Sequence, residues 1–352
     1  MLMKHEQNPI KQVTCFLLPK SFSFYTSKIE ENAKNIPFRH LVNPTHITEN
    51  MGFVPFLSLD DFVLSSKSVD SVFVRFEEKH LPKAVIDNAF DGEIARRSEY
   101  ANLFSLSKKK QKQIYKDLKD ELLKNALCKS SDITISFSRH GESYPLLIVD
   151  TANKKQIELV IDKWLSLNTH ILPPIRSICT HKSVNSLMLD LFANKYDERF
   201  EITDSCRYAS LDTGEIVTAK KTDLSNQNLQ QLCSNGFITE IGLRHTETGI
   251  QFVLSSDFTL KQLEIPELKN NDEEKRIYAA NRQEFQMRLI SQIYDDLFAS
   301  CGGLQGDLFD DEPSSNPNFQ KLQDTLAADE NIQGASVTVG GKEVTIYKKA
   351  KQ

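Results

Sequence analysis

Ser71-Val-Phe-Val-Arg-Phe76 alternates in the manner of a half-buried strand. Leu81-Pro82 follows almost at once and opens a helix, since Pro is tolerated in the first turn, and Val85, Ile86, Ala89, Phe90 and Ile94 recur at helical spacing. A strand passing directly into an amphipathic helix predicts an α+β fold, with mixed or antiparallel sheets.

Towards the N-terminus, Gln12 to Leu18 reads as a first strand stopped by Pro19. A short amphipathic helix is expected around Lys28 to Asn35, and Met51-Gly-Phe-Val-Pro-Phe56 reads as an apolar, Pro-punctuated corner. In the other direction, Ser107 to Ala126 forms a second helix, charged around most of its surface, with Ile114, Tyr115, Leu118, Leu122 and Leu123 as a narrow apolar stripe. So narrow a stripe suits a helical hairpin projecting from the body over residues 78–129.

Strands return at Asp132 to Ser138 and Pro145 to Val149, joined by the loop Arg139-His-Gly-Glu-Ser143. Ile157, Val160, Ile161, Trp164 and Leu165 line a helix ending before Pro173-Pro174. Beyond the apolar run Leu187 to Phe192, Ile216-Val-Thr is strand-like, Leu224 to Cys233 helical, and Phe237 to Leu243 with Gly249 to Leu254 a hairpin. The longest helix is expected over Asp272 to Ala299, with Phe285, Leu289, Ile293 and Leu297 as its apolar stripe and Gly302-Gly303 as its stop. An acidic linker follows, then a helix over Phe319 to Ala328 and a hairpin in which Ala335 to Val339 and Lys342 to Tyr347 flank Gly340-Gly341.

The expected organisation is one α+β region from residues 1–77 and 130–170, a helical tip at 78–129, and a second α+β region at 171–303. A linker at 304–318 and a small module at 319–352 complete it.

Composition narrows function. A chain of 352 residues with 39% hydrophobic and 26% charged residues is expected to be soluble and cytoplasmic, with no membrane partner. No apolar run approaches the roughly 20 residues of a membrane span. The formal net charge of -5 excludes a uniformly basic binder, so any nucleic-acid surface is local. The cysteines at 15, 128, 179, 206, 233 and 301 form no CxxC pair, so reduced thiols are expected rather than a zinc site or a disulfide framework.

Catalytic machinery is not visible. The chain has no GxxxxGK phosphate loop, no HExxH and no GxSxG elbow. The paired acids Asp60-Asp61, Asp295-Asp296 and Asp310-Asp311 read as solvated surface, and Cys179-Thr-His181 as structural. No cofactor, metal ligand or catalytic residue is assigned. A two-metal nuclease would need carboxylates gathered in space, and it remains the alternative.

Cations stand out instead. Lys108, Lys109, Lys110 and Lys112, with Lys116 and Lys119, crowd the exposed part of one helix, where each phosphate neutralised would release counterions. His140 in its loop can also touch a phosphate, and Arg139 beside it is a further DNA-binding candidate. The stretch Gly214-Glu-Ile-Val-Thr-Ala-Lys-Lys-Thr-Asp223 places Lys220, Lys221 and Thr222 where a strand ends and a helix is expected to begin, a junction whose backbone amides and cations can meet phosphate oxygens without reading bases.

That last stretch resembles the RdgC family of bacterial recombination-associated proteins, and other stretches agree in order. They are Met51-Gly-Phe-Val-Pro, Glu78-Lys-His-Leu-Pro82 with Val85-Ile86 and Glu93-Ile-Ala95, Leu118-Lys-Asp-Glu-Leu-Leu123, and Ile250-Gln-Phe-Val253 with Leu260-Lys261. The similarity runs over about residues 12 to 303. It implies a multi-subdomain, non-enzymatic protein whose homodimer closes a ring around double-stranded DNA, with little sequence preference. It also implies a nucleoid-associated protein that restrains RecA-type recombinase by competition for DNA. Lys221 falls on the family's DNA-facing lysine. Thr222 stands where a glutamine is typical, Phe237 where relatives place an inner lysine, and Ser131 near an aromatic position.

The resemblance does not cover residues 304–352. There, Gln305-Gly-Asp-Leu-Phe309 resembles the peptide by which bacterial proteins dock on the replication sliding clamp, with Gln305, Leu308 and Phe309 as candidate contacts and Gly306 in place of a Leu.

Overall fold

The computed structural model describes residues 10–20, 24, 26–56, 61–100, 107–167, 175–193, 197–211, 214–222, 224, 236–268, 274–306, 334–339 and 342–347. In chain order these form β1 (Gln12–Leu17), α1 (Thr26–Asn35), β2 (Glu49–Val54), β3 (Val63–Ser65), β4 (Val69–His80), α2 (Lys83–Tyr100), α3 (Lys108–Lys124), β5 (Leu127–Ser138), β6 (Leu146–Val149) and α4 (Lys154–Leu167). Then come α5 (Val184–Phe192), β7 (Phe200–Ser210), β8 (Ile216–Lys220), β9 (Gly236–His245), β10 (Gln251–Ser255), β11 (Leu260–Lys261) and α6 (Lys275–Ser300). A separate hairpin pairs β12 (Gly334–Val339) with β13 (Lys342–Tyr347), as the flanked Gly pair predicts.

The α+β expectation holds. An eleven-stranded sheet runs β2-β4-β5-β6-β1-β11-β10-β9-β7-β8, with β3 also on β4, and its named pairs are antiparallel. β1 joins the two halves by changing partner within itself. Gln12 and Val13 pair with β11, while Thr14 to Leu17 pair with β6.

Side-chain alternation sends each strand's residues to two faces. On one face, Val72, Val74 and Phe76 of β4 and Ile133, Ile135 and Phe137 of β5 share a buried cluster with Ile29 and Ala33 of α1 and Val160 of α4. On the other, Leu146 and Ile148 of β6, Cys206 and Tyr208 of β7, and Ile241 and Leu243 of β9 pack with Leu187 and Leu191 of α5 and Ile290, Tyr294 and Leu297 of α6. At 26 residues and thus about 39 Å, α6 is long enough to reach both halves. Its Ala279 and Ala280 meet the cluster of Val54, Phe56, Leu64 and Phe73.

Three expectations need correction. Of the stripe expected on α6, Ile293 and Leu297 are buried as expected, but Phe285 and Leu289 are only half-buried, and the buried face also takes in Gln286, Met287, Ile290, Ser291, Tyr294 and Phe298. The reason lies across the interface, where the sheet presents hydroxyls. Ser71 Oγ meets Ser136 Oγ at 2.9 Å, Gln283 Nε2 donates to Ser136 Oγ at 2.7 Å, and Ser138 Oγ meets Ser291 Oγ at 3.0 Å. Buried polar groups satisfied by one another do not register as an apolar stripe.

The Met51 corner is instead strand β2, paired with β4 from Glu49↔Glu78 to Val54↔Phe73. Asp295-Asp296 is not solvated surface. Asp295 accepts the Glu142 N–H at 3.2 Å, while Asp296 takes the buried His245 Nε2 at 2.7 Å and Arg199 Nε at 3.3 Å. Burial, together with the neighbouring Glu142 and Asp296 charges, pushes the Asp295 carboxyl up to about 6, against the Glu142 N–H that lowers it.

β7 carries no clean strand signal in the sequence. Its residues are mixed in polarity, and its pairing with β9 shifts register between Ile202 and Cys206 and again between Arg207 and Tyr208, so no clean period of two survives. Gly302 and Gly303 stop α6 as expected, at φ +78° and +89°. Gly303 N–H donates to Phe298 O at 2.7 Å and Gly302 N–H to Ala299 O at 2.9 Å. Apart from Leu224, the helix expected over Leu224 to Cys233 lies outside the described residues. So do the helix over Phe319 to Ala328 and the acids Asp60, Asp310 and Asp311.

Candidate nucleic-acid interface

The β7–β8 hairpin places the first cationic group. β8 follows β7 from Ala209↔Ile216 to Ser205↔Lys220 and alternates exposed with half-buried residues. Lys220 is its last residue. Lys221 then turns out of the ladder at φ +52°, a left-handed conformation costing an ordinary L-residue about 1 kcal/mol. Two bonds hold this bend. Thr222 N–H donates to Asp204 O at 3.2 Å, and Thr222 Oγ1 donates to Lys220 O at 3.0 Å. Leu224, 4% exposed, anchors the chain just beyond. Lys220, Lys221 and Thr222 are therefore exposed between two fixed points, with the Thr222 hydroxyl proton already committed to Lys220.

The sheet around them adds mixed charge. Thr218 and Lys220 stand on the same side of β8, and Arg207 pairs with Thr218 across the ladder. Arg207 Nη1 lies 3.9 Å from Glu240 and Lys261 Nζ 2.7 Å from the same carboxylate, while Arg244 Nη1 is 3.5 Å from Glu201. Phe237, where a lysine was noted for relatives, is 37% exposed on β9 opposite Ala209.

The second group sits at the outer end of a helical hairpin. β4 and β5 pair from Val69↔Ser138 to His80↔Leu127, and α2 and α3 continue from that ribbon. The two helices meet through Phe90 and Tyr115, ring centroids 5.4 Å apart and edge to face, with Tyr115 OH donating to Asp87 at 3.3 Å. Ile114 is buried, and the body side is tied by Lys79 Nζ, which donates to Thr45 O and Lys124 O. Since α3 returns towards β5, its start is distal. Ser107 caps it, its Oγ accepting from Lys110 N–H, and Lys108, Lys109, Lys110 and Lys112 are exposed there with no acid in the first turn. Cations at a helix N-terminus oppose the macrodipole, so local stability does not explain them.

Arg139 stands apart from both groups. Its guanidinium donates to Asp70 Oδ2 at 2.8 Å and lies over the Phe137 ring at 5.2 Å, so its charge is engaged within the sheet. His140 is likewise tied, Nε2 to Glu284 at 2.8 Å. Burial works to raise the Glu284 carboxyl, but Ser66, the Ser68 N–H and His140 hold it below the usual range. Ser131, paired with Phe76, lies in mid-ladder and its hydroxyl accepts from Gln156 at 3.1 Å.

Of the clamp-like peptide, Gln305 is described and engaged. Its N–H donates to Cys179 O at 2.9 Å, and Cys179 Sγ contacts its Oε1 at 3.0 Å. Leu308 and Phe309 lie outside the described residues. Among the described residues, no three His, Cys, Asp or Glu side chains gather so as to hold a metal ion, and no helix is long and apolar enough to cross a membrane.

Comparison with known proteins agrees with the ordered stretches of resemblance. Recombination-associated protein RdgC of Neisseria meningitidis is 27% identical over 247 residues, covering 66% of this chain and 79% of the relative. The Pseudomonas entomophila protein of the same name is 24% identical over 307 residues, covering 83% and 97%. The family model described as "Putative exonuclease, RdgC" matches residues 10–302. The chain belongs to the RdgC family.

Proposed function

We propose that this protein binds double-stranded DNA without sequence preference, as a homodimeric ring, and thereby limits access of a RecA-type recombinase on the nucleoid. The observation that carries the reading is the Lys220-Lys221 bend: two exposed cations at the end of a sheet strand, the second held in a left-handed backbone by two bonds that Thr222 donates, to Asp204 O and Lys220 O. Such geometry offers charge to phosphates and nothing shaped for a base edge. The lysines at the distal start of α3 supply a second electrostatic contact. Enclosure would let modest contacts retain the duplex despite a net charge of -5.

The test is a gel shift with linear and circular duplex across a salt series, on wild type and Lys221→Glu. Affinity that falls with salt, persists after chelation of divalent metal and drops on charge reversal supports the reading. Unchanged affinity and salt slope in Lys221→Glu would remove this bend from the interface. Metal-dependent degradation of the duplex by pure protein would favour the nuclease instead. Docking of Gln305, Leu308 and Phe309 on the sliding clamp is a separate part of the proposal, and unchanged clamp retention after deleting residues 305–309 would end it.

A further inference from the structure

The strip 175–180 changes partner, as β1 does. At one end Leu17 N–H donates to Arg176 O at 2.8 Å and Arg176 N–H to Leu17 O at 3.0 Å, and at the other Thr180 bridges Leu304. Between these two bridges the strip parts from β1, whose own pairing passes from β11 to β6 at Val13-Thr14. A cavity of about 570 Å³ opens there. Its apolar walls come from separate elements: Phe16 of β1, Ile157 and Ile161 of α4, Ile178 of the strip, Val184 of α5 and Phe258 of the β10–β11 loop. Phe258 is fixed at φ +59°, an uncommon backbone for a bulky residue. Its N–H donates to Ser255 O at 3.0 Å, its O accepts from the buried Tyr294 OH at 3.0 Å, and its ring stands edge to face with Phe298 at 6.3 Å. A space of this size walled by fixed apolar groups suits a small ligand or a pair of large side chains.

The chain leaves the body beside this opening. Gln305 N–H donates to Cys179 O at 2.9 Å, and the exposed Cys179 itself lines the cavity. Because the Thr180–Leu304 bridge is antiparallel, the chain beyond Gln305 heads back along Ile178 and Ser177, both in the cavity wall. Gly306, at φ +58°, bends it there and is the last described residue before β12. From residue 307 to 318, Leu308 and Phe309 are the only large apolar side chains among acids, Pro, Ser and Asn. Phe309 stands three residues beyond Gly306, a reach of about 10 Å.

We propose that Leu308 and Phe309 of this chain dock in the cavity, so that the tail folds back on the body and withholds its own apolar pair. Docking removes both side chains from water, and the short tether gives them a local concentration that a free peptide does not match. The contact is autoinhibitory, since one Leu-Phe pair cannot fill the cavity and a pocket on the sliding clamp at the same time. That consequence rests on the clamp reading; the docking itself does not.

The experiment traps the tail on the native thiol. Asp310→Cys in the full chain, oxidised with glutathione disulfide at low protein concentration, should form an intramolecular disulfide with Cys179, read by non-reducing peptide mapping. Adding Leu308→Ser and Phe309→Ser should slow that linkage at least about tenfold, because the tether keeps its length and only the anchors are lost. Equal rates in the two backgrounds, or linkage in neither, overturn the docking and leave the cavity to a ligand in trans. Ser177→Trp, on the exposed wall, fills the opening and should raise retention on the sliding clamp at least about fivefold, whereas Leu308→Ser with Phe309→Ser should abolish it. Equal retention of wild type and Ser177→Trp overturns the competition. Retention of neither, beside a tenfold difference in linkage, removes the clamp reading and keeps the docking.

Discussion

In the first half of the sheet, β4, β5 and β6 are covered on both faces; in the second, β7 and β8 are covered on one. β4 buries Val72, Val74 and Phe76 beneath α1 and α4 while Phe73, on the reverse side, meets α6, so nearly every residue is enclosed. β7 buries Cys206 and Tyr208 against α5 and α6, whereas Glu201, Asp204 and Arg207 stay exposed. Strands enclosed on two sides read as continuous apolar runs and supply stability; strands enclosed on one side keep a face for something else. The cations of interest lie on the one-sided half and on the hairpin, both at the margin of the enclosed body.

That contrast can be broken most forcefully in the enclosed half. Ile135→Ala should cost about 2–5 kcal/mol in denaturant unfolding, whereas Thr218→Ala on the open half should change stability by less than about 0.5 kcal/mol. Equal losses at the two positions would show that the halves do not differ as described. On the hairpin, replacing Lys108, Lys109, Lys110 and Lys112 together by Gln should weaken duplex binding about a hundredfold at low salt and reduce the salt slope by about 3 to 4, without lowering the unfolding midpoint. A slope that stays at the wild-type value would place the hairpin away from DNA.

A smaller effect sharpens the point from inside the enclosed half. Asp150 directly follows β6, and burial pushes its carboxyl up to about 8. In the unfolded chain the group ionises near its ordinary value of 3.8, so folding becomes less favourable as pH rises from there to about 8 and changes no further above. Asp150→Asn should therefore gain nothing at pH 4 and about 2 kcal/mol at pH 8, part of the full cost being screened because the residue retains some exposure. A gain independent of pH would point to packing rather than charge. Smallest is Lys221→Gly, which should stabilise by about 1 kcal/mol through relief of the left-handed backbone and lower the salt slope by about 0.9. Stabilisation without loss of slope would leave the bend structural.

Much of this was legible in the residues. The strand at Ser71 to Phe76, the helix opened by Pro82, the Ser107-capped helix and the Gly302-Gly303 stop stand near the expected positions, although that strand is buried on both faces rather than half-buried as its alternation suggests. What escaped depends on partners distant in the chain. The polar face of α6 is intelligible only beside Ser71, Ser136 and Ser138, and β7 only beside the bulged pairing with β9. For the site, the lysines themselves were plain, but not that Lys221 bends at φ +52° or that Arg139 is held by Asp70, since both follow from neighbouring strands.

β1 leaves the ribosome long before β11, yet Val13 pairs with Leu260 while Thr14 to Leu17 pair with β6. One of the first strand's two partner strands thus exists only once nearly the whole sheet has been made. The joint between the two halves must close late, through contacts remote in sequence, which are the slow ones to form. Until then the growing chain exposes the margin of a finished half-sheet, and this interval is when a chaperone would matter most to the protein.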